Sequence, residues 1–167
     1  VLFLNLVMTN VLFAESYHFK NCKLSDLLYG DYSINLNEKM INVKLLAADG
    51  TVQQFSDPIE LIEKNRITTK KIKSGKSEDA FFVYYLDSKS KSVIKQNYKK
   101  EVGIGLVRPY GPVKKSYCEI VKANWDIKKI KAAEDEKSNE KMKLLQEEIL
   151  KEQSSTNECQ GKDYSNW

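Results

Sequence analysis

The chain of 167 residues has very little histidine, proline or cysteine. His18 is its one histidine, so histidine-based acid–base catalysis and histidine-rich metal sites have almost nothing to build on. Ser–His–Asp and Cys–His catalysis both need a histidine in the folded core, whereas His18 lies near the N-terminus. We therefore predict that the protein is not an enzyme and that it holds no cofactor or metal ion.

Glycine-rich phosphate loops are lacking as well. Gly103 and Gly105 are closely spaced, but neither a Gly-Lys-Ser/Thr motif nor a predicted helix follows them. The net charge of +4 is small and spread along the chain, which argues against a nucleic-acid partner. The lysines of residues 70–76 and 89–100 are most simply explained as solvent-facing positions on strands. The alternative is a basic face that contacts anionic lipid headgroups.

Residues 1–14 are apolar and end on a small residue, Ala14, after which the chain turns polar. This pattern predicts a secretory signal peptide, and the missing basic segment before it indicates a truncated start. The alternative is a membrane anchor, but the run is shorter than the roughly 20 apolar residues that a span needs. We expect an exported protein, periplasmic or associated with the cell envelope, that is not an integral membrane protein once the signal is removed.

Cys22 and Cys118 bracket most of the region that is rich in strand patterns. In an exported protein they predict a disulfide rather than a metal site, and no Cys-x-x-Cys pair is present. The bridge would close a loop of about 100 residues and stabilise the fold by about 4–5 kcal/mol. The alternative is two buried free thiols.

The segment from Ala80 to Lys99 predicts a central β-hairpin. Its first arm, Ala80–Leu86, is apolar and aromatic throughout, as in a strand buried on both faces. Side chains alternate across a strand, so Phe81, Val83 and Tyr85 should face one way and Phe82, Tyr84 and Leu86 the other.

Further strands are predicted on both sides of this hairpin, together with one short helix at Asp57–Asn65, which has Pro58 at its first position. Asp49-Gly50 predicts a type I′ hairpin turn, Ser25 a brief capped helical turn, and Pro109–Pro112 another turn. The eight candidate strands lie at residues 32–36, 41–45, 51–55, 66–72, 80–86, 93–98, 102–106 and 113–121. This order predicts a mainly β domain over residues 15–123, an antiparallel sandwich or barrel.

An eight-stranded barrel could also enclose a pocket, as in a lipocalin-like carrier of a small apolar ligand. Tyr84 and Tyr98 are then the candidate ligand-lining residues. An interior filled by Phe81, Val83, Val102 and Leu106 would instead favour a non-catalytic binding module.

Residues 124–153 contain no glycine or proline and are rich in helix formers, which predicts a long C-terminal helix. Its middle, Glu134 to Lys141, has no apolar residue, so the pattern favours a spacer helix over the alternative of a coiled coil. Asn124 or Asp126 can cap its start, and Ser154–Asn157 should end it.

The tail, residues 154–167, contains the pattern Cys159-x-Gly161-x-Asp163-x-x-x-Trp167. It resembles the short cysteine segment that leads into MORN repeats in exported bacterial proteins. The resemblance implies that Cys159 pairs with a cysteine beyond Trp167 and that a Tyr-Gly-rich repeat follows. We therefore expect a binding or assembly module of the cell envelope, with an envelope protein or lipid headgroups as partner.

Overall fold

The computed structural model describes residues 16–101 and 103–159, with side-chain environments up to residue 153. The chain divides into two compact units, and the division falls between Trp125 and Asp126. The strands of the first unit are β1 Ser16–Ser25, β2 Leu28–Asn35, β3 Met40–Ala47, β4 Val52–Ile62, β5 Arg66–Thr69, β6 Ile72–Lys73, β7 Ala80–Asp87, β8 Ser92–Lys100 and β9 Val107–Lys122. The second unit contains the helix α1, Ile127–Cys159.

The strands form a closed antiparallel barrel in which each strand from β1 to β5, and from β6 to β9, pairs with the next along the chain and β9 pairs back with β1. β5 and β6 both pair with β7, so together they occupy one broken position and the barrel has eight. At the end of β5, the Thr69 hydroxyl accepts a hydrogen bond from the Tyr84 N–H at 3.2 Å and donates one to its carbonyl at 3.4 Å. The prediction of a mainly β fold with about eight strands is confirmed, and the architecture is a barrel.

The central hairpin is formed by β7 and β8, as predicted. Tyr84 points into the barrel, because its ring meets that of Tyr32 on the non-adjacent strand β2 at 5.7 Å between centroids. Val83 and Tyr85 therefore point outward. Val83 is nonetheless buried, so β7 is covered on both faces.

The interior is filled by side chains from strands all around the barrel. The largest completely buried ones include Phe19, Ile34, Ile41, Ile67 and Leu86. The described members of the set that would have favoured a binding module do not fill the interior, because strand register decides which face of a strand points inward. Phe81 and Val83 face outward, Leu106 is 49% exposed, and Val102 lies outside the described residues.

Trp125, the last residue of the first unit, is buried there. Its indole N–H donates a hydrogen bond of 2.6 Å to the Glu63 carbonyl in the turn between β4 and β5. Its ring meets that of Tyr17 edge-on at 5.8 Å. Trp125 lies outside the predicted β domain of residues 15–123, because it follows the last predicted strand.

The predicted disulfide between Cys22 and Cys118 is present and spans 96 residues of sequence. The two residues are direct cross-strand partners on β1 and β9. The bond therefore links the first and last strands at the seam where the barrel closes.

The predicted helix over Asp57–Asn65 was wrong. Most of this segment belongs to β4, in which Asp57 pairs with Ile41 and Pro58 with Met40. The Asp57 carboxylate accepts a hydrogen bond from Tyr84 rather than capping a helix, and the Pro58 carbonyl accepts one from the Lys70 N–H. Tertiary pairing has overridden a local helix-start pattern.

Three other local predictions were also wrong. Ser25 ends a strand rather than capping a helical turn, and residues 103–106 form a turn rather than a strand. Pro109–Pro112 lies inside β9, where the register with β8 shifts and Gly111 has a φ of 69°. The Asp49-Gly50 hairpin is confirmed, but positive φ occurs at Gly50 and not at Asp49, so the turn is not type I′.

The helix α1 begins as predicted, with Asp126 as its cap. The Asp126 carboxylate accepts hydrogen bonds from the N–H groups of Lys128 at 2.9 Å and Lys129 at 3.5 Å. The helix runs on to Cys159 instead of ending within Ser154–Asn157. The predicted signal peptide and most of the predicted MORN leader, residues 160–167, lie outside the described residues.

Candidate functional site

A polar cluster lies inside the barrel. The Tyr84 hydroxyl donates a hydrogen bond of 2.7 Å to the Asp57 carboxylate, and the Tyr32 ring packs beside Tyr84. Burial raises the pKa of Asp57, and the hydrogen bond from Tyr84 only partly opposes this effect. Burial also raises the pKa of Tyr32 and Tyr84, and the Asp57 carboxylate adds to both shifts.

The two tyrosines predicted to line a ligand site are not brought together. Tyr84 is inside the barrel with its hydroxyl bound to Asp57, whereas Tyr98 points outward with Tyr85. The hydroxyls of Tyr85 and Tyr98 lie 3.4 Å apart. That hydrogen bond, together with burial, raises the pKa of Tyr85 to about 12, and the Arg66 guanidinium lies 5.5 Å from the centre of its ring.

Two of the open clefts on the surface of the described chain are large enough to compare with the predicted ligand site. One, of about 570 Å³, lies beside Tyr17, Asn65 and Lys91; the other, of about 550 Å³, lies beside His18, Ser33 and Asn42. Neither cleft is lined by Tyr84 or Tyr98. His18, Ser33 and Asn42 are cross-strand neighbours on β1, β2 and β3. His18 is thus one member of a polar row on the sheet.

A second feature is the positive charge of β8, the turn after it and the first part of β9, residues 92–118, which we call the basic ribbon. It contains six of the 27 lysines and arginines but only one of the 23 acidic residues, Glu101. Residues 64–76 form a second basic stretch, with six basic residues and no acidic one, so the basic ribbon is not the only source of the net charge. The six basic residues are Lys95, Lys99, Lys100, Arg108, Lys114 and Lys115.

Strand register places like charges of the basic ribbon directly opposite one another. Lys95 pairs with Lys114, and Lys99 pairs with Arg108. Like charges at such positions destabilise a strand pair. The Arg108 guanidinium also forms an ion pair of 3.2 Å with Glu101. Within the part of the chain that the structure describes, Lys95, Lys99 and Lys114 form no ion pair.

The Lys95 ammonium is held in a partly buried place. It lies 3.9 Å from the centre of the Phe82 ring, a cation–π contact. Burial lowers the pKa of Lys95, and the neighbouring charge of Lys114 lowers it further. An anion bound beside this pair would favour the charged form of Lys95 and so oppose both effects.

One edge of the basic ribbon is unpaired among the described strands. β9 pairs with β1 only from Cys118 onward, which leaves residues 107–117 bonded to β8 alone. Tyr110, Val113 and Tyr117 on this stretch are 62%, 58% and 64% exposed. The basic ribbon thus combines positive charge with accessible aromatic and apolar side chains.

Among the described residues, no group of three or more His, Cys, Asp or Glu side chains is placed to hold a metal ion. No described helix combines the length and apolar character that crossing a membrane requires. Comparison with protein-family models, with curated proteins and with solved structures finds no match to this chain.

Proposed function

We propose that the protein is a non-catalytic binding or assembly module of the cell envelope and that the basic ribbon is its binding surface for an anionic partner. The observation that carries the proposal is the direct opposition of Lys95 with Lys114 and of Lys99 with Arg108. These positions weaken the sheet in isolation. A bound anion offsets the repulsion. The arrangement therefore lowers the stability of the free sheet and favours binding of an anion.

The remaining parts of the chain fit a module of this kind. The Cys22–Cys118 disulfide suits an oxidising compartment, in line with the predicted signal peptide. A barrel filled by side chains provides a rigid scaffold for the basic ribbon. We propose that α1 acts as a spacer toward a MORN-repeat region, on the basis of the tail pattern at Cys159–Trp167.

The proposal can be tested with a soluble polyanion, fluorescein-labelled dextran sulfate, by fluorescence anisotropy on the full chain. Replacing Lys114 and Lys115 by glutamine should weaken binding by about tenfold or more, because each charged contact contributes over 1 kcal/mol. The matched control is Lys128→Gln with Lys129→Gln on α1, which removes the same charge outside the basic ribbon. Equal weakening by both pairs would contradict the proposal.

A lipocalin-like carrier is the second candidate, and one observation favours it. Phe55 pairs with Val43 and so shares its inward face, yet Phe55 is 43% exposed. Solvent therefore reaches the inward face at this point. Titration with dansyl-undecanoic acid should give saturable binding that Val43→Trp abolishes, if the barrel carries apolar ligands. If binding does not saturate by a ligand concentration of about 10 μM, ten times a micromolar Kd, the carrier hypothesis is rejected.

A further inference from the structure

The tip of the basic ribbon, residues 103–106, presents apolar side chains to solvent. Ile104 is 72% exposed and Leu106 is 49% exposed. Gly103 and Gly105, on either side of Ile104, have φ values of 93° and 68°, which other residues rarely adopt. The turn is closed by the hydrogen bond from the Glu101 N–H to the Leu106 carbonyl at 2.8 Å.

Nothing else in the described chain covers this tip. A Cβ added at Gly103 would meet no atom within 4 Å, and one at Gly105 would meet only the Lys100 side chain, at 3.9 Å. The Ile104 side chain therefore projects into open space. Transfer of such an exposed aliphatic side chain from water into an apolar medium is favourable in free energy.

Basic residues surround the apolar tip. Lys99 and Lys100 end β8, and Arg108 follows the first residue of β9. Glu101 is the acidic residue of the tip, and it is engaged with Arg108 at 3.2 Å. Within the described residues, Lys99 and Lys100 form no ion pair, so two positive charges stand free beside Ile104. Apolar side chains ringed by cations complement the acyl chains and headgroups of an anionic bilayer.

We propose that this tip docks the protein on an anionic lipid surface, with Ile104 and Leu106 entering the bilayer boundary and Lys99 and Lys100 contacting the headgroups. The inference rests on the proposed function and names the partner of its binding surface. Charge complementarity alone would also suit an acidic protein or a soluble polyanion. The exposed aliphatic pair favours lipid, because a polyanion offers no apolar medium to receive it.

The test is co-sedimentation of the full chain with vesicles of phosphatidylcholine alone and with 30% phosphatidylglycerol added. Binding should require the anionic lipid and weaken as salt shortens the range of the charges. Ile104→Asn should reduce affinity about tenfold, since its side chain then no longer gains from burial. Lys99→Glu with Lys100→Glu should reduce it by at least as much.

The control is Lys89→Glu with Lys91→Glu, in the turn between β7 and β8. It makes the same charge change at the opposite end of β8, about 30 Å away by strand length and well beyond the range of salt-screened charges. This variant should bind as the wild type does. Each variant should fold, because all the substituted positions lie in turns or at a strand end. Melting curves check this.

Three results would overturn the inference. Equal binding to neutral and anionic vesicles would place the contact elsewhere, for example in the apolar residues 1–14 that every variant shares. Equal loss in the tip and control variants would remove the tip from the contact. Binding to dextran sulfate without binding to vesicles would reject lipid as the partner and leave the proposed function standing.

Discussion

The barrel and the helix α1 hold their structure in different ways. The barrel buries Phe19, Ile34, Ile41, Ile67 and Leu86 completely and is closed by a disulfide between its first and last strands. In α1, no described side chain is buried, and five large apolar ones are 46–65% exposed: Met142, Leu144, Leu145, Ile149 and Leu150. The barrel depends on contacts distant in sequence, whereas α1 depends on local propensity and its Asp126 cap. The two regions should therefore respond differently to substitution.

The largest expected effect is in the barrel interior. Leu86→Asp places a carboxylate at a position that is 0% exposed on the central strand. A buried charge without a partner costs more than the whole stability of an ordinary domain can offset, so the barrel should not fold. Near-UV circular dichroism should show no tertiary signal. A matched change on α1, Leu144→Asp, should leave that signal intact, and loss of the signal in both variants would contradict the comparison.

The disulfide provides the next largest effect. Cys22→Ser with Cys118→Ser removes the constraint that links β1 and β9. The chain-entropy model gives a loss of about 4–5 kcal/mol for a loop of this length, which corresponds to a fall in Tm of roughly 10–20 °C. Thermal melting should show this fall. The wild type should melt like the variant when dithiothreitol is present, and a difference under about 1 kcal/mol would contradict the prediction.

The regions with the clearest local sequence patterns were predicted from the sequence, and the barrel closure was not. The β7–β8 hairpin, the Asp49-Gly50 turn and the start of α1 follow from local patterns. The predicted and observed numbers of strands agree partly because two errors cancel. β1 was missed because its mixed composition, with Asn21 at a φ of 52° within a register shift, hides the alternation. Residues 102–106 were counted as a strand in its place.

Some features of the candidate site could likewise be predicted from the sequence, and others could not. The charge of the basic ribbon could have been found by counting acidic residues between 92 and 118, since Glu101 is the only one there. The opposition of Lys95 with Lys114 depends on a register shift at the bulge in β9, which no local pattern specified. The Asp57–Tyr84 hydrogen bond joins β4 to β7 inside the barrel and needed the complete fold to be seen.

A smaller effect is expected from the polar cluster inside the barrel. Burial raises the pKa of Asp57 above its unfolded value near 3.8. A raised folded pKa means that the protonated form is favoured in the barrel, so this contribution to stability is full below pH 3.8 and lost as pH rises through the folded pKa. Asp57→Asn removes the charge and can still accept from Tyr84. It should therefore raise Tm near pH 7 relative to the wild type.

The pH dependence provides the control for this variant. The gain in Tm of Asp57→Asn should shrink as the pH is lowered toward 3.8, where the wild-type carboxyl is protonated as well. Asp49→Asn, at an exposed turn where hydrogen bonds from Thr51 lower the pKa, should show no gain at pH 7. A gain from Asp57→Asn that did not vary with pH would show that the carboxylate charge is not its cause.

The smallest effect is expected from removing most of α1. Beyond Ala133 no described side chain is buried, so a chain that ends at Ala133 loses little apolar burial and its Tm should change by no more than a few degrees. The contrasting variant is Trp125→Ala, only eight residues earlier in the sequence, which removes a ring that is 4% exposed and its hydrogen bond to Glu63. That variant should lose about 3 kcal/mol or more of stability. Melting curves on both proteins test the comparison: a fall above roughly 10 °C on truncation would make α1 part of the folding unit, because only contacts with the barrel could account for several kcal/mol.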